Sequence, residues 1–533
     1  MVNGYNVHAF YAYRITFTDK DNTSYSLSNP LEFLSQRAID RRVKYGIAID
    51  STDLPVNSNY IQQVLSQSGA VLHNTSRWNN SCVIFLEDTS TLQSITQLSR
   101  VLSVQKVSTN ISTPLPKPSG NNDDQIMNDF DSTFYGAAWN QIHLCNGEFL
   151  HEQSLMGEGV LVAVIDVGFS GVDGMAAFDS MFDNNRMLDA YNFLDNSDNI
   201  YYNSSNHGTK VLSIMAGYQP GTFVGTAPKA FYALYVTDDA YTEQSFEQDN
   251  WIAAVERADS LGADLITTSL GYNTFDDAQN SYTYNDLNGH ATLLAVAANT
   301  ATSKGMLVLA SAGNEGANSW QHILTPGDAD SVLTVGAVNV LNVSSNTSGK
   351  GPNASGIVKP DVVALGVGVA NVDGNENISN GNGTSYATPI IAGLAACLLQ
   401  TIPTYHPYQM RHLIRAVSDH FINPDNIVGY GLPNFKIALQ TVNINTVSDD
   451  ESSVLVFPNP VRNTVNIQYF AKDFQLIKLS VNNILGKVVL QNEFEVNAGK
   501  NIAQLDFSSY PAGVYFCILQ SENKQYAFRF IKN

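Results

Sequence analysis

The central part of the sequence predicts an α/β fold, a mostly parallel sheet flanked by helices. Two observations carry this. Short, mainly apolar runs recur at residues 160–165, 231–236, 264–268, 307–311 and 332–338. Helical patterns at 245–261, 290–304, 385–400 and 407–417 separate or follow them. Runs that do not alternate fit strands buried on both faces, and intervening helices are the crossovers a parallel sheet requires. A third observation concerns the flanks. Neither end of the chain shares this pattern, and a chain of 533 residues exceeds what one hydrophobic core supports.

The first flank interleaves strands (13–17, 70–72, 82–86, 101–107) with helical stretches (30–45, 60–67, 91–98), an α+β order. Residues 108–132 are then rich in Pro, Ser, Asn and Asp, with Pro114, Pro116, Pro118, Gly120 and Asn121-Asn122-Asp123-Asp124, the composition of an exposed and cleavable linker. The last flank carries short alternating strands at 464–469, 476–482, 487–491 and 513–519 and lacks long helical patterns, which predicts a small β-sandwich. The expected organisation is an N-terminal α+β domain (1–110), a linker (111–133), the α/β domain (134–442), a second linker (443–453) and the C-terminal β-sandwich (454–533).

Composition narrows the function classes. The formal net charge of -21 repels phosphate backbones, so no nucleic-acid partner is expected. The cysteines Cys82, Cys145, Cys397 and Cys517 form no C-x-x-C pair, which argues against a zinc site, and Cys397 lies in an apolar run that suits a buried free thiol. No run of about 18 apolar residues is present, so no transmembrane helix is expected. The first residues lack a basic segment followed by an apolar one. Either the protein is cytoplasmic or its signal peptide is absent from this sequence. A monomer is expected.

Four motifs in the central domain carry candidate chemistry. Val162-Ala163-Val164-Ile165-Asp166-Val167-Gly168 is an apolar strand ending in a carboxylate. Ligands bind just beyond the carboxyl ends of strands in open α/β sheets, and an aspartate there can orient a histidine. It can equally cap a turn. Asn206-His207-Gly208-Thr209 opens a helix, and His207 can act as general base; a surface histidine would look the same. Leu309-Ala310-Ser311-Ala312-Gly313-Asn314-Glu315-Gly316 ends another strand. There the Asn314 amide can donate to a developing oxyanion and Gly313 leaves a side-chain-free wall for a substrate pocket, while a Gly-Asn turn is the plainer reading. Gly383-Thr384-Ser385-Tyr386-Ala387-Thr388-Pro389 sets Ser385 at a helix N-terminus, where free N–H groups favour a negative oxygen; a simple N-cap is the alternative.

The order Asp166, His207, Ser385 is that of subtilisin rather than of chymotrypsin or the α/β-hydrolases. All four motifs resemble those of the subtilase family, as do Ala263-Asp264-Leu265-Ile266-Thr267-Thr268-Ser269-Leu270-Gly271 and the later Gly429-Tyr430-Gly431-Leu432-Pro433-Asn434. The resemblance spans residues 157–438. It implies a subtilisin-like fold and a secreted serine endopeptidase acting on protein or peptide substrates, with Asp166, His207 and Ser385 as triad and Asn314 as oxyanion donor. It implies substrate contacts at Ser269, Leu270, Gly271, Ala312 and Gly313. The related sedolisins lack this histidine and carry Asp in place of Asn314. Departures are the larger residues Lys210-Val211-Leu212-Ser213 after the histidine and a long insertion, 272–299, with Phe275, Tyr282 and Tyr284. No cofactor is expected. Calcium is possible, from oxygen ligands in 179–189 and 195–198, but no spacing defines a site, so no metal is predicted.

The first flank resembles subtilase pro-domains, which assist folding and inhibit until cleaved. The last resembles the C-terminal sorting domains of type IX secretion substrates, through Val456-Phe457-Pro458-Asn459-Pro460, Asn483-Ile484-Leu485-Gly486-Lys487 and Tyr510-Pro511-Ala512-Gly513-Val514-Tyr515. That implies the type IX secretion machinery as a partner and a secreted or cell-surface location. The competing readings are a generic adhesion or carbohydrate-binding module for this flank, a catalytically dead binding protein on the same fold, and an esterase using the same triad.

Overall fold

The computed structural model describes residues 10–67, 69–111, 132–201, 205–443, 454–457, 461, 463–471, 474–484, 486–497, 499–520 and 525–532. The linkers expected around 111–133 and 443–453 therefore fall mostly outside the described residues.

The central sheet has seven strands in the order Val362–Leu365, Leu333–Val338, Leu307–Ser311, Leu265–Thr268, Leu161–Asp166, Phe231–Val236, Met187–Asn192, and every pairing is parallel. Along Leu161–Asp166, Val162 and Val164 enter one core while Leu161, Ala163 and Ile165 enter the other. Alternate side chains point to opposite faces, so a strand buried on both must be apolar throughout. Of the two edge strands only Met187–Asn192 escapes that criterion, being half-exposed and carrying Asp189; Val362–Leu365 is four residues long, apolar and fully buried.

In the N-terminal part a four-stranded antiparallel sheet runs in the order Val71–Ser76, Ser81–Leu86, Phe10–Phe17, Val101–Ile111. The last strand continues to Ile111, past the expected end at Val107. The single helix expected over 30–45 is divided, because Ser35 stops the preceding turn and caps Gln36–Tyr45 by accepting from Ala38 N–H at 3.1 Å.

This sheet and its first helix rest on the helix Glu247–Leu261 of the central part. Glu256 accepts from Ser76 Oγ (2.6 Å), Arg77 N–H (2.8 Å) and Trp78 N–H (3.1 Å). Asp259, three residues on and fully buried, is shared by Arg41, Arg42 and Arg77. Burial opposes the charge of Asp259, but the three guanidinium groups hold its carboxyl below the usual carboxylate range.

The C-terminal part pairs a three-stranded sheet (Val454–Phe457, Thr464–Ala471, Gly499–Asp506) with a four-stranded one (Val488–Val496, Gln475–Asn483, Gly513–Gln520, Gln525–Lys532). Both are antiparallel and share one core that includes Val465, Leu479, Val481, Phe507 and Phe530, a β-sandwich. All four cysteines are buried free thiols.

Candidate active site

The chain leaves Leu161–Asp166 toward one edge of the sheet and later returns to its other side as Leu265–Thr268, so the strand order reverses at Leu161–Asp166. A reversal of this kind opens a crevice at the carboxyl ends of the strands. Asp166 ends the strand there, completely buried.

His207 is the first residue of the helix His207–Ala216. Its Nδ1 lies 2.7 Å from Asp166 Oδ1, which also accepts from Val167 N–H at 2.8 Å. The following glycine makes the approach possible. A Cβ on Gly208 would stand 2.5 Å from the Gly168 carbonyl oxygen and 2.9 Å from Asp166 Cβ. The imidazole is 30% exposed while its carboxylate is dry. Burial disfavours the imidazolium, but the charge and hydrogen bond of Asp166 outweigh it and raise the histidine pKa above its ordinary value.

Ser385 is the second residue of the helix Thr384–Thr401, so its N–H is one of the four at the start with no partner inside the helix. Gly383 precedes the helix at φ +139, a conformation that L side chains rarely adopt. The Ser385 side chain is pinned to the end of a neighbouring strand. Its hydroxyl donates to the Ser269 carbonyl at 3.3 Å, and the Ser269 hydroxyl donates to the Ser385 carbonyl at 2.8 Å. In this structure the Ser385 hydroxyl thus points to Ser269 rather than to His207. The next residue links the two groups, since the Tyr386 ring centroid lies 5.7 Å from that of His207.

Asn314 lies exposed beyond the strand Leu307–Ser311. Its amide oxygen accepts from Thr384 N–H (2.9 Å) and Thr384 Oγ1 (3.2 Å), which leaves the NH2 group as the donor. Thr384, which fixes this orientation, carries no signal in the sequence beyond its place before the serine.

Ser269, Leu270 and Gly271 follow the strand Leu265–Thr268, and Ala312 and Gly313 follow its parallel neighbour. The sequence-derived candidates therefore gather at one end of one sheet. The insertion is packed against the domain: Phe275 is buried, the Tyr282 hydroxyl donates to Gln248 Oε1 at 2.6 Å, and Tyr284 stacks on His322 with centroids 4.0 Å apart. The region 179–189, considered above for calcium ligands, contains the helix Asp179–Asp183 and part of an edge strand. Asp189 there is bonded bidentately to Arg257, at 2.6 and 2.8 Å. Among the described residues no group of three or more His, Cys, Asp or Glu is arranged to hold a metal ion.

Comparison with known proteins identifies this arrangement. Residues 157–431, just over half of the chain, match the model of the subtilase family. The chain belongs to the subtilase family. Residues 12–124 of this subtilase match the peptidase S8 propeptide domain of Bacteroidota, and residues 455–533 match the secretion system C-terminal sorting domain. The subtilase is 28% identical to Subtilisin E of Bacillus subtilis (strain 168) over 402 residues, which cover 74% of this chain and 90% of that one. It is 32% identical to a subtilisin of Bacillus pumilus over 295 residues, covering 55% and 94%. Among solved structures, the serine protease MycP1, described as an essential component of the type VII (ESX-1) secretion system, aligns with TM-score 0.45 and 24% identity, covering 58% of this chain and 90% of that one. This subtilase is thus a serine peptidase, and its sorting domain marks it as a secreted or cell-surface protein of type IX secretion. Among the described residues no helix is long and apolar enough to cross a membrane.

Proposed function

We propose that this subtilase is an endopeptidase that cleaves extended polypeptides through an acyl-enzyme formed on Ser385. The observation that carries the reading is the 2.7 Å pairing of His207 with the buried Asp166, next to a serine at a helix N-terminus. The Ser385 hydroxyl turns from Ser269 toward His207 Nε2 and attacks the scissile carbonyl carbon. Its proton passes to Nε2, and Asp166 stabilises the imidazolium. The oxyanion takes hydrogen bonds from the Asn314 amide and the Ser385 N–H. When the C–N bond breaks, His207 returns the proton to the leaving amine. Water then enters, gives a proton to His207, and releases the acid and the Ser385 hydroxyl. The backbone at Ser269–Gly271 offers an edge along which an extended substrate adds as a strand.

A fluorophosphonate probe tests this directly: it labels Ser385 in the active enzyme, and a processed enzyme with no labelled serine would refute the reading. Hydrolysis of casein in preference to short-chain esters separates a peptidase from an esterase.

Two further results are expected. Asn314→Ala lowers kcat by about 10²–10³-fold with little change in KM, the scale set by the corresponding change in subtilisin. The pH profile of kcat/KM has an acidic limb, because the reaction needs neutral His207. Since Asp166 raises that pKa, the midpoint lies above the ordinary histidine value of ~6.5. Asp166→Asn removes the raising charge, moves the midpoint downward and lowers kcat by about 10⁴-fold.

A further inference from the structure

Asp166 holds His207 at one atom, Nδ1, and the Ser385 hydroxyl is turned away to Ser269 O. One hydrogen bond sets the distance of an imidazole but tolerates a range of ring tilts. Tyr386 supplies a second contact. Its ring lies beside the imidazole with centroids 5.7 Å apart and planes at 52°. Aromatic pairs attract at that separation.

Tyr386 is itself firmly held. It is the third residue of the helix Thr384–Thr401, immediately after the serine, and it packs on one of the two cores that flank the sheet. A Cβ on Gly381 would lie 2.6 Å from both Cε2 and Cζ of its ring, so the phenol rests on bare backbone there. Gly381 ends the hairpin of Val369–Val372 and Ile378–Gly381. That hairpin also holds the His207 helix. Val372 N–H donates to Ser213 Oγ at 2.9 Å, and at the turn a Cβ on Gly374 would lie 2.9 Å from Asn206 Cβ, one residue before His207. One hairpin therefore supports both the helix of the imidazole and the phenol beside it. Burial pushes the Tyr386 phenol up to about 12, so the ring stays neutral across the neutral pH range.

We propose that Tyr386 is a positioning residue for His207: its ring fixes the tilt of the imidazole against Asp166 and stabilises the imidazolium that forms as Ser385 attacks. This rests on the peptidase reading above and deepens it. A neutral aromatic ring beside a forming cation attracts it through the ring quadrupole. The ring is in place before the charge appears, so the stabilisation requires no rearrangement during the reaction. In this role Tyr386 acts through His207 and takes part in no bond change.

The test measures kcat and KM of the processed enzyme on one peptide p-nitroanilide, with kcat expressed per site that a fluorophosphonate labels at completion. Tyr386→Leu removes the ring and is expected to lower kcat by about 3–30-fold while KM stays within about twofold. Tyr386→Phe keeps the ring and is expected to retain about half or more of the wild-type kcat. Gly381→Ala presses on Cε2 and Cζ and should also lower kcat; in the Tyr386→Leu background, where no ring is left to displace, it should add nothing. Tyr386→Leu with the wild-type kcat per labelled site overturns the proposal, whatever its melting temperature. So does a loss confined to KM, or a Tyr386→Phe enzyme as slow as Tyr386→Leu. If Tyr386→Leu does not fold, Gly381→Ala decides, and the wild-type kcat there overturns the proposal. A wild-type enzyme that neither hydrolyses peptides nor takes the label is a different failure, and it removes the peptidase reading and this proposal together.

Discussion

Replacing Ser385 by alanine is expected to lower kcat on any peptide substrate by about 10⁶-fold, the loss found for the same change in subtilisin, a relative of this chain. The cause is chemical. In the proposed mechanism His207 can still accept a proton and Asn314 can still donate, but no oxygen remains to form the acyl bond. What survives is the residual rate, about 10³–10⁴-fold over water, that oxyanion donors and binding provide alone. The fold should tolerate the change, because Ser385 keeps its backbone bond from the Ser269 hydroxyl and loses only the 3.3 Å bond to Ser269 O. The melting temperature is therefore expected within a few degrees of wild type. The same variant addresses maturation. The N-terminal part matches a propeptide domain, and the Ser385→Ala chain is expected to remain uncut between it and the catalytic domain. Electrophoresis of the purified variant reads this out, and a variant that still matures in pure form would rule out self-cleavage.

The candidate site was legible because each of its parts is a local pattern. An apolar run that stops at Asp166, a His-Gly pair opening a helix, a strand that ends in Gly-Asn, and a serine one step into a helix can each be read within about eight residues. The reason is also local: Gly208 must lack a side chain for His207 to approach Asp166, and Gly383 adopts a positive φ where the helix of Thr384 and Ser385 begins. The fold class was legible for a similar reason, since burial on both faces leaves continuous apolar runs. Elements half in water were not. Met187–Asn192 mixes Asp189 and Asn192 with apolar residues, as an edge strand can. Residues whose role depends on a distant partner were invisible too. Asp259 reads as a solvated acid on a helix until Arg41, Arg42 and Arg77, which lie 182–218 positions away in the chain, close over it.

Asp259→Ala is expected to weaken the hold of the N-terminal domain by about 10²–10⁴-fold, equivalent to the 3–5 kcal/mol lost when one partner of a buried ionic cluster is removed. Arg42 reaches both Asp259 oxygens, at 2.9 and 2.8 Å, and Arg77 reaches one at 2.6 Å. Arg42 keeps a second carboxylate, Asp53, at 2.9 Å, but Asp53 is also shared with Lys304 at 2.8 Å. Without Asp259, three buried guanidinium groups face too few negative charges, and the interface must admit water or part. The observable is the rate at which the full chain gains peptidase activity, which should rise, and the survival of the N-terminal domain under limited proteolysis in a Ser385→Ala background, which should fall. Charge and packing can be separated. Asp259→Asn keeps the shape and should weaken the interface nearly as much, whereas Asp259→Leu combined with Arg41, Arg42 and Arg77 replaced by Met should recover most of the loss, because a cluster replaced whole by apolar groups costs little. The pH dependence has a definite sign. The carboxyl of Asp259 titrates below its ordinary value in the docked state, so its contribution is fully present above the unfolded carboxylate pKa of ~3.9 and is lost only as pH falls through the lower docked value. Mild acidification to pH 5 should therefore leave this contact intact. Equal survival of the N-terminal domain under the same proteolysis at neutral pH, with and without Asp259→Ala, would show that the cluster does not hold the two domains together.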